Sequence, residues 1–504
     1  MWPNRVWTLG ELADSLEGTL INAPDSPLRI DTITAFSKRQ EPGALFVAVR
    51  GAKADGHDHL AEAFHNGAVA GVVEDPLKLG KRPGIVVRDT RKALSRLAAI
   101  FAGHPSADLI TIGITGTNGK TTINWILYHL LNRLNMRAVR IGTLGVKSEN
   151  GFERPGDLTT PNPIQLQRDL RCALDLGAQA CVMEVSSHAL AQSRAADVFF
   201  DVAIFSNLSR DHLDYHLDME SYFAAKCSLF QLLAKGPKKS KLAVVNNDCS
   251  YGKRIIDRLE ALGLHNFSFG VEAGSVVRII KTAQSMRSSK VVLGYRGSEY
   301  IAESSLIGDY NAENIAAAFA SLVALGHAAD EIVSALRGIP QVPGRLELVA
   351  GQEFLVFVDY AHSPDALKRA LQCLRKVTEG KLWVVFGCGG DRDKGKRPQM
   401  AETAYHYADH VVVTSDNPRS EDPLQIIDDI LSGPTGVEIR KNSLIEPDRR
   451  LAIEKVLNKA AKGDVVLIAG KGHEDYQIIG TEKIHFSDQE EVRRILGLAQ
   501  SYAA

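Results

Sequence analysis

The chain has 504 residues, and because a single hydrophobic core stops growing at roughly 250–300 residues, we expect about three domains. Hydrophobic residues make up 45% of the chain and charged residues 24%, which is ordinary for a soluble globular protein. The formal net charge of −1 provides no overall field that would attract nucleic acid or an anionic membrane. A polyanionic substrate must therefore be bound by local sites.

The cysteines form no Cys-x-x-Cys pair and no cluster with metal-ligand spacing, so we expect reduced thiols rather than a disulfide framework. They are Cys172, Cys181, Cys227, Cys249, Cys373 and Cys388. The N-terminal sequence lacks the apolar region of a signal peptide, and no segment reaches the roughly 18 apolar residues of a membrane span. We expect a cytoplasmic monomer that binds neither nucleic acid nor membrane.

The first predicted domain covers residues 1–107. Strand-like runs at 44–51 and 84–89 and a helix-like run at 59–68 indicate a small α/β domain. This part of the chain contains no phosphate-binding loop of its own. We expect it to bind part of a substrate rather than ATP.

The second predicted domain covers residues 108–338, where short apolar runs alternate with helical patterns. A helix is predicted over 121–134, and the strand candidates are residues 109–115, 180–185, 202–207 and 242–247. Such alternation predicts βαβ units and a mostly parallel sheet. The expected architecture is that of a P-loop ATPase.

The third predicted domain, residues 339–504, follows a segment rich in glycine and proline that is typical of a linker. Its strand candidates are residues 355–361, 382–387, 410–416 and 464–470. They predict a doubly wound, Rossmann-like sheet, but no GxGxxG sequence opens it, so we do not expect a dinucleotide. The predicted fold class is thus α/β, with three domains.

The segment from Gly113 to Thr122 joins a predicted strand to a predicted helix through a glycine-rich turn. Such turns bring backbone N–H groups close to phosphate oxygens at the positive end of a helix. We expect Lys120 to contact the β- and γ-phosphates of ATP and Thr121 to bind Mg²⁺. The predicted nucleotide ligands in this turn are Gly116, Thr117, Asn118, Gly119, Lys120, Thr121 and Thr122. The strict P-loop pattern fails only at Ile114.

Two further polar residues follow predicted strands of the same sheet. Glu184 ends the strand candidate at 180–185, and His212 comes after the next one. Either residue alone would more often be a surface residue than a ligand. Because ligand sites form at the carboxyl edge of such sheets, their shared position favours a Mg²⁺ site with Thr121.

The sequence TGTNGKT at residues 115–121 resembles the Mur ligase family, whose relatives include folylpolyglutamate synthetase and cyanophycin synthetase. The resemblance implies that Lys226, which otherwise reads as an ordinary helical lysine, is carbamylated and binds a second Mg²⁺. It implies a catalytic set of Lys120, Glu184, His212 and Lys226. Metal ligands would be Thr121, Glu184, His212 and the carbamate on Lys226.

The resemblance also implies a site for UDP-MurNAc-dipeptide. Its residues would be Ser37, Thr159, Thr160, Ser186, Gln192 and Arg194. Of these, Arg194 offers a two-pronged contact to a carboxylate or pyrophosphate. Ser37 and the run at residues 54–59 would lie at the uridine diphosphate end.

The family's adenine-side motif matches the segment containing Asn311 and Asn314, although both asparagines fit helix capping equally well. The resemblance further implies that Arg345 reaches the ATP phosphates. Asp359 would contact ribose or the linker, and His362 would face the nucleotide.

Three loops that follow predicted strands of the third domain carry both signs of charge, as a zwitterionic amino acid requires. Their predicted ligands are Arg392, Asp416, Asn417, Arg419, Gly470 and Glu474. In the Mur ligase family, the Asp-Asn-Pro-Arg sequence at 416–419 goes with meso-diaminopimelate.

The resemblance therefore implies ATP-dependent addition of meso-diaminopimelate to UDP-MurNAc-L-Ala-D-Glu through an acylphosphate. The products would be UDP-MurNAc-tripeptide, ADP and phosphate in peptidoglycan biosynthesis. The alternatives are a lysine-adding Mur ligase, a folylpolyglutamate synthetase and a P-loop ATPase of another class. The last of these would hydrolyse ATP without an acid and an amine as co-substrates.

Overall fold

A computed structural model of the chain describes residues 5–38, 41–51, 54–351 and 353–498. The chain divides into two compact units. The first unit comprises Met1–Arg278, Tyr295–Gly297 and Glu313–Ile332, and the second comprises Ile279–Gly294, Ser298–Ala312 and Val333–Ala504. Among the described residues, no helix combines the length and the apolar character needed to cross a membrane.

The N-terminal part of the first unit contains a five-stranded sheet in the order β2-β7-β6-β5-β4. Its elements are β1 (Trp7–Thr8), α1 (Leu9–Ser15), β2 (Thr19–Ile21), β3 (Arg29–Ile30), β4 (Thr32–Thr34), β5 (Ala44–Val47), α2 (Leu60–His65), β6 (Ala68–Val73), β7 (Gly84–Val86) and α3 (Thr90–Ala102). Strands β4 to β7 are parallel, and β2 is antiparallel to β7. A capping box between Thr8 and Glu11 starts α1.

The rest of the first unit is organised by an eight-stranded sheet in the order β11-β10-β9-β12-β8-β13-β14-β15. The elements are β8 (Ile110–Thr115), α4 (Lys120–Arg133), β9 (Ala138–Gly142), β10 (Gly145–Ser148), β11 (Glu153–Arg154), α5 (Pro163–Asp175), β12 (Ala180–Glu184), α6 (Ser187–Ala191), β13 (Val202–Phe205), α7 (Leu213–His216), α8 (Met219–Lys235), β14 (Leu242–Val245), α9 (Ser250–Leu259), β15 (His265–Asn266) and β16 (Phe269–Gly270). From β9 to β15 the sheet is parallel, and β10 and β11 add an antiparallel edge. Because both faces are covered, its central strands are buried and mainly apolar.

Three strands and two helices follow: β17 (Val277–Gln284), β18 (Ser289–Tyr295), β19 (Ser298–Ser304), α10 (Asp309–Ala324) and α11 (Ala329–Leu336). The boundary between the two units falls within these elements. The three strands were not predicted from the sequence.

The second unit is built around a six-stranded sheet in the order β20-β21-β25-β22-β23-β24. Its elements are β20 (Glu347–Gly351), β21 (Leu355–Asp359), α12 (Pro364–Arg375), β22 (Leu382–Phe386), α13 (Lys396–Tyr407), β23 (His410–Val413), α14 (Pro423–Ile430), α15 (Gly436–Asn442), β24 (Leu444–Ile445), α16 (Arg449–Leu457), β25 (Val465–Ala469), β26 (Tyr476–Ile479), β27 (Glu482–His485) and α17 (Asp488–Ile495). Five strands are parallel, and β20 is antiparallel to β21.

The predicted fold class is confirmed, since the central sheet is mainly parallel and the C-terminal sheet is doubly wound in the Rossmann manner. The predicted strands of both sheets are present within three residues of their expected limits. The exact boundaries of the predicted domains stay predictions.

Candidate active site

The phosphate loop joins the end of β8 to the start of α4. Gly116 has a φ of 149° and Gly119 has a φ of 89°. Residues other than glycine rarely adopt these backbone conformations. A Cβ atom on Gly116 would lie 1.9 Å from the Ser206 hydroxyl oxygen. Gly119 directly precedes α4, so the first N–H groups of that helix face the loop as an anion site requires.

Two lysines donate to the same carbonyl oxygen of this loop. Lys120 Nζ lies 3.0 Å from Gly116 O and 3.0 Å from Thr117 O. Lys226 Nζ, from helix α8, lies 2.8 Å from Gly116 O. The structure therefore brings Lys120 and Lys226 together at the Gly116 carbonyl, and their role in one site stays a prediction.

Lys226 is fully buried, with its Nζ 4.4 Å from the ring centroid of Tyr222. Burial, and next the charge of Lys120, hold the pKa of Lys226 well below its usual value. Asp211 opposes this shift only as the smallest of the three influences. The environment therefore favours a neutral amine, which is nucleophilic.

Glu184 ends β12, next to β8, and only 1% of it is exposed. Its carboxylate accepts hydrogen bonds from the Thr121 hydroxyl at 3.0 Å, the Thr143 hydroxyl at 3.1 Å and the Thr143 N–H at 2.8 Å. A Cβ on Gly142 would come within 2.2 Å of a Glu184 oxygen, so this glycine leaves room for the carboxylate. Thr121 and Glu184 thus present oxygen atoms at one point beside the loop, the donor type that Mg²⁺ prefers.

His212 directly precedes α7 and lies in the left-handed region, with a φ of 54°. Its ring lies 4.9 Å from that of His188 and 6.0 Å from that of Tyr222, whose hydroxyl is 3.2 Å from the Thr117 hydroxyl. Within the part of the chain that the structure describes, no three His, Cys, Asp or Glu side chains form a metal-binding group. A metal here would need ligands such as the Thr121 hydroxyl or oxygens from the nucleotide.

Two residues directly after β13, Ser206 and Asn207, hold the phosphate loop and were not predicted as part of the site. Asn207 accepts from the Asn118 N–H through its side chain at 2.9 Å and from the Thr117 N–H through its carbonyl at 2.9 Å. The Ser206 hydroxyl donates to Asn118 O at 2.5 Å. The signal in the sequence was the polar run Ser-Asn directly after a buried strand of the same sheet.

The two asparagines of the adenine-side motif have different environments. A Cβ on Gly119 would lie 2.5 Å from Asn314 Oδ1, so Asn314 lies against the phosphate loop within the first unit. Asn311 belongs to the second unit, where its amide donates to Ile307 O at 2.6 Å. Contact of either residue with a base stays a prediction.

Five of the predicted dipeptide ligands lie around the end of β12. Thr160 donates to Glu184 O at 2.9 Å and accepts from the Ser186 N–H at 3.1 Å. Arg194 donates to Thr160 O at 3.0 Å and to the Gln192 side chain at 2.6 Å. The Thr159 hydroxyl lies 3.2 Å from that of Thr143, which in turn contacts Glu184.

Ser37, the sixth predicted dipeptide ligand, lies in the N-terminal part. Its carbonyl accepts from the Asn66 side chain at 2.8 Å, and its hydroxyl lowers the pKa of Glu62. In the run at 54–59, His57 has both ring nitrogens engaged, by Asp55 at 2.6 Å and by the Glu74 N–H at 3.0 Å. His57 therefore has a structural role.

Three predicted nucleotide ligands of the second unit, Arg345, Asp359 and His362, lie around the end of β21. The Asp359 carboxylate accepts from the N–H groups of Leu346 at 2.7 Å and Ala361 at 2.8 Å. Burial raises the pKa of Asp359, and the charge of Arg345 opposes that rise. Arg345 stacks over Tyr360 at 4.6 Å, and His362 Nδ1 lies 2.8 Å from Tyr360 O.

The predicted amino-acid ligands converge at the carboxyl edge of the C-terminal sheet. Asn417 donates to Glu474 at 2.9 Å, while Arg419 donates to Gly390 O at 2.7 Å. A Cβ on Gly389 would lie 2.9 Å from Arg419 and 3.7 Å from Arg392, so the two arginines flank this glycine.

Gly470 and Glu474 complete this group. Gly470 has a φ of 120°, and a Cβ there would lie 3.5 Å from Asp416. Burial and the charge of Asp416 raise the pKa of Glu474. A cationic and an anionic side are thus present in one place, as binding of a zwitterion requires.

Comparison with known proteins assigns this arrangement to a family. Residues 114–322 match the Mur ligase middle domain, residues 344–472 the Mur ligase glutamate ligase domain, and residues 29–102 the catalytic domain of the Mur ligase family. The chain is 42% identical over 484 residues to the UDP-N-acetylmuramoyl-L-alanyl-D-glutamate–2,6-diaminopimelate ligase of Geobacter sulfurreducens, with 93% of this chain and 94% of that protein covered. The chain belongs to the Mur ligase family.

Further relatives agree with this assignment. The equally named ligase of Aquifex aeolicus is 42% identical over 469 residues, covering 93% of this chain and 94% of the relative. A solved structure of a UDP-N-acetylmuramoyl-L-alanyl-D-glutamate–2,6-diaminopimelate ligase matches with a TM-score of 0.70 and 32% identity, over 98% of this chain and 99% of that one. The MurF ligase of Thermotoga maritima in complex with ADP shares the fold at a TM-score of 0.58 and 23% identity, over 88% and 94% of the two chains. This Mur ligase is accordingly an ATP-dependent ligase, which confirms the predicted enzyme class.

Two buried cations of this Mur ligase were not predicted as part of the amino-acid site. Lys471 lies 3.3 Å from Glu474, and Arg449 forms a fully buried ion pair with Asp488 at 2.7 Å. Arg449 also donates to the carbonyl oxygens of Ser415, two residues after β23, and of Ala469, the last residue of β25. Lys471 lies in the loop that supplies the predicted ligands Gly470 and Glu474, whereas nothing in the sequence around Arg449 distinguishes it from a surface arginine.

Proposed function

We propose that this Mur ligase uses ATP to join meso-diaminopimelate to UDP-MurNAc-L-Ala-D-Glu, giving UDP-MurNAc-tripeptide, ADP and phosphate in peptidoglycan biosynthesis. The observation that carries the proposal is the amino-acid site. Asn417, Arg419 and Glu474 come from loops far apart in the chain and meet at one sheet edge. The chain matches more than nine-tenths of the length of two relatives that are named as ligases for this reaction.

In the first step, a carboxylate oxygen of the dipeptide attacks the γ-phosphorus of ATP, and the bond between that phosphorus and the ADP oxygen breaks. Lys120 and the N-terminus of α4 bind the phosphates and offset the charge that develops between two anions. We propose that Mg²⁺, held by Thr121 and Glu184 with His212 nearby, supplies further neutralisation when bound.

In the second step, the amine nitrogen of diaminopimelate attacks the carbonyl carbon of the acylphosphate. The carbon–oxygen bond to phosphate breaks, inorganic phosphate leaves, and the nitrogen loses a proton. Arg419 and Glu474 orient the amino acid by its charged groups. Arg194 and the hydroxyls of Thr160 and Ser186 would hold the dipeptide at the end of β12.

We further propose that Lys226 carries a carbamate. Its neutral amine attacks CO₂, forming an N–C bond and releasing one proton, which converts a cation site into an anionic one. The lowered pKa of Lys226 and its position 2.8 Å from the phosphate loop support this proposal. The carbamate would bind a second Mg²⁺.

The remaining predictions belong to the same proposal. We propose that Asn311, Asn314, Arg345, Asp359 and His362 bind the nucleotide. We also propose that the enzyme is a cytoplasmic monomer, with domains at residues 1–107, 108–338 and 339–504.

Phosphate release from ATP and UDP-MurNAc-L-Ala-D-Glu tests the proposed function. We expect rapid release with meso-diaminopimelate, and much slower release with L-lysine or without an amine. Faster release with L-lysine would identify a lysine-adding enzyme. Equal release without an amine would identify an ATPase of another class.

A further inference from the structure

Lys471 is a buried lysine among the predicted amino-acid ligands of the second unit. Its side chain has 0% exposure, and Nζ lies 3.3 Å from Glu474 Oε2 and 3.8 Å from Asp416 Oδ1. It also lies 3.5 Å from Asn417 Oδ1. Because a buried ammonium is stable only where it is paired and hydrogen-bonded, these three residues are what holds it in place.

The backbone around Lys471 keeps the side chain in this position. Gly470 and Gly472 on either side have φ values of 120° and 54°, and a Cβ on Gly472 would lie 2.6 Å from the Cβ of Tyr360. The Gln489 side chain fixes the carbonyl of Gly472 at 3.0 Å. The loop after β25 therefore holds the Lys471 side chain next to the predicted amino-acid ligands.

The charges of the cluster formed by Asp416, Glu474 and Lys471 can be balanced by one more cation. Two carboxylates, Asp416 and Glu474, face one ammonium, Lys471, while Arg449 is already paired with Asp488. The cluster therefore keeps one net negative charge, which matches the ammonium group of an amino acid. Other titratable or charged groups that interact with Asp416 or Glu474 are Arg449, Tyr360, Tyr476 and Cys388, and Arg419 acts on Tyr476.

The charge of Lys471 also opposes protonation of the neighbouring Glu474 carboxylate. Burial and Asp416 raise the pKa of Glu474, whereas Lys471 and Asn417 lower it. A protonated Glu474 would no longer attract an ammonium group. Removal of Lys471 would leave two buried carboxylates close together, a situation in which one of them takes up a proton.

We propose that Lys471 is a positioning residue for the amino-acid substrate, which holds the Glu474 carboxylate and the Asn417 amide in the arrangement that receives the incoming ammonium group. This inference rests on the proposed function, because it concerns the same amino-acid site. Lys471 acts through Glu474 and Asn417 and does not itself need to contact the substrate.

Kinetics of the Lys471→Met variant test the proposal, with Lys483→Met as the matched control. Lys483 is exposed on β27 and lies 3.8 Å from the ring of Tyr476, the ring that Lys471 approaches to 5.5 Å. We expect Lys471→Met to raise the KM for diaminopimelate by at least about 10-fold, since a buried charge loses its partner. The affinity for ATP, measured without amino acid, should not change.

The pH profile of kcat/KM for the amino acid gives a second measure. Loss of Lys471 raises the pKa of Glu474, so the ionised form is lost at a higher pH as the solution is acidified. The acid limb of the profile should therefore move to higher pH in Lys471→Met and stay in place in Lys483→Met. An unchanged KM and acid limb, or an equal loss of ATP affinity, would overturn the proposal.

Lys471→Arg decides the question if the methionine variant does not fold, because it keeps a cation in the cluster. We expect the wild-type acid limb with this variant, and a displaced limb would overturn the proposal. The proposed function is tested separately by the wild-type protein. Failure of the wild type to consume ATP with any amino acid would contradict the function, whereas wild-type turnover with an unaffected Lys471→Met would contradict only the role of Lys471.

Discussion

Lys226 and Lys471 are both fully buried, yet their surroundings differ in kind. Lys226 faces a backbone carbonyl and an aromatic ring, with a second lysine nearby. Lys471 faces two carboxylates and an amide oxygen. The first environment favours an uncharged, reactive amine, and the second compensates a positive charge. A buried lysine is therefore a reactive amine in one region and a charge that stabilises neighbouring carboxylates in the other.

This contrast follows from what each region binds. The phosphate loop must bring two anions together, so it gathers cations and backbone dipoles and keeps carboxylates few. The amino-acid site must accept a zwitterion, so it provides Arg419 and Arg392 beside Gly389 as well as the carboxylates of Asp416 and Glu474. The variants below test whether each region depends on its lysine in the way this difference requires.

The largest effect is expected for Lys226→Ala. Without the amine no carbamate can form, and we expect kcat to fall by about 10³-fold or more, as for loss of a preorganised charged group. Lys235→Ala, which changes an exposed lysine at the end of the same helix, is the matched control. Partial recovery of phosphate release on adding short carboxylates would support the carbamate. Wild-type rates in Lys226→Ala would remove the residue from the site.

Gly142→Ala should displace the Glu184 carboxylate without changing its charge. The added Cβ would stand 2.2 Å from a Glu184 oxygen, and a shift of about 1 Å in a positioned group costs on the order of 100-fold in rate. Steady-state kcat measures the effect. Gly10→Ala is the control, because a Cβ there meets nothing within 4 Å. An unaffected kcat in Gly142→Ala would mean that Glu184 is not positioned for catalysis.

Arg419→Ala addresses the second region. We expect the KM for diaminopimelate to rise by about 30-fold, because a cation that would bind the substrate carboxylate is removed, while the KM for ATP stays unchanged. Arg440→Ala serves as control, since Arg440 pairs with Asp428 on the surface. Equal increases in both KM values would contradict the assignment of Arg419 to the amino acid.

The smallest effect is expected for Tyr222→Phe, which removes the hydroxyl but keeps the ring beside Lys226. The hydroxyl lies 3.2 Å from that of Thr117, and loss of one such hydrogen bond is worth about 1 kcal/mol, or roughly fivefold in kcat. Tyr222→Leu also removes the ring and should reduce kcat further. If Tyr222→Phe were as damaging as Lys226→Ala, the hydroxyl would have a direct role.

Local sequence was sufficient for the features that depend on short segments. The phosphate loop was predictable because the strand, the two glycines and the Lys-Thr pair are consecutive, and α4 begins one residue before its predicted start. The strands of both parallel sheets are continuous apolar runs, and these too are local signals.

Other features depend on packing between distant segments. Lys226 reads as an ordinary helical lysine, and only the position of α8 against β8 buries it. Asn311 and Asn314 have equivalent sequence signals, but one helical turn places their amides in different surroundings. Strands β17 to β19 were missed, and in β17 the alternation of buried and exposed residues breaks down after four residues.

The central claim is that ATP activates a carboxylate, and the transfer of an oxygen atom tests it most directly. The dipeptide substrate is labelled with ¹⁸O in its carboxylates, and the phosphate released during ligation with diaminopimelate is analysed by mass spectrometry. We predict one ¹⁸O atom in each phosphate, because the acylphosphate gives up the carboxylate oxygen when the amine attacks. Unlabelled phosphate released together with fully formed tripeptide would contradict the account.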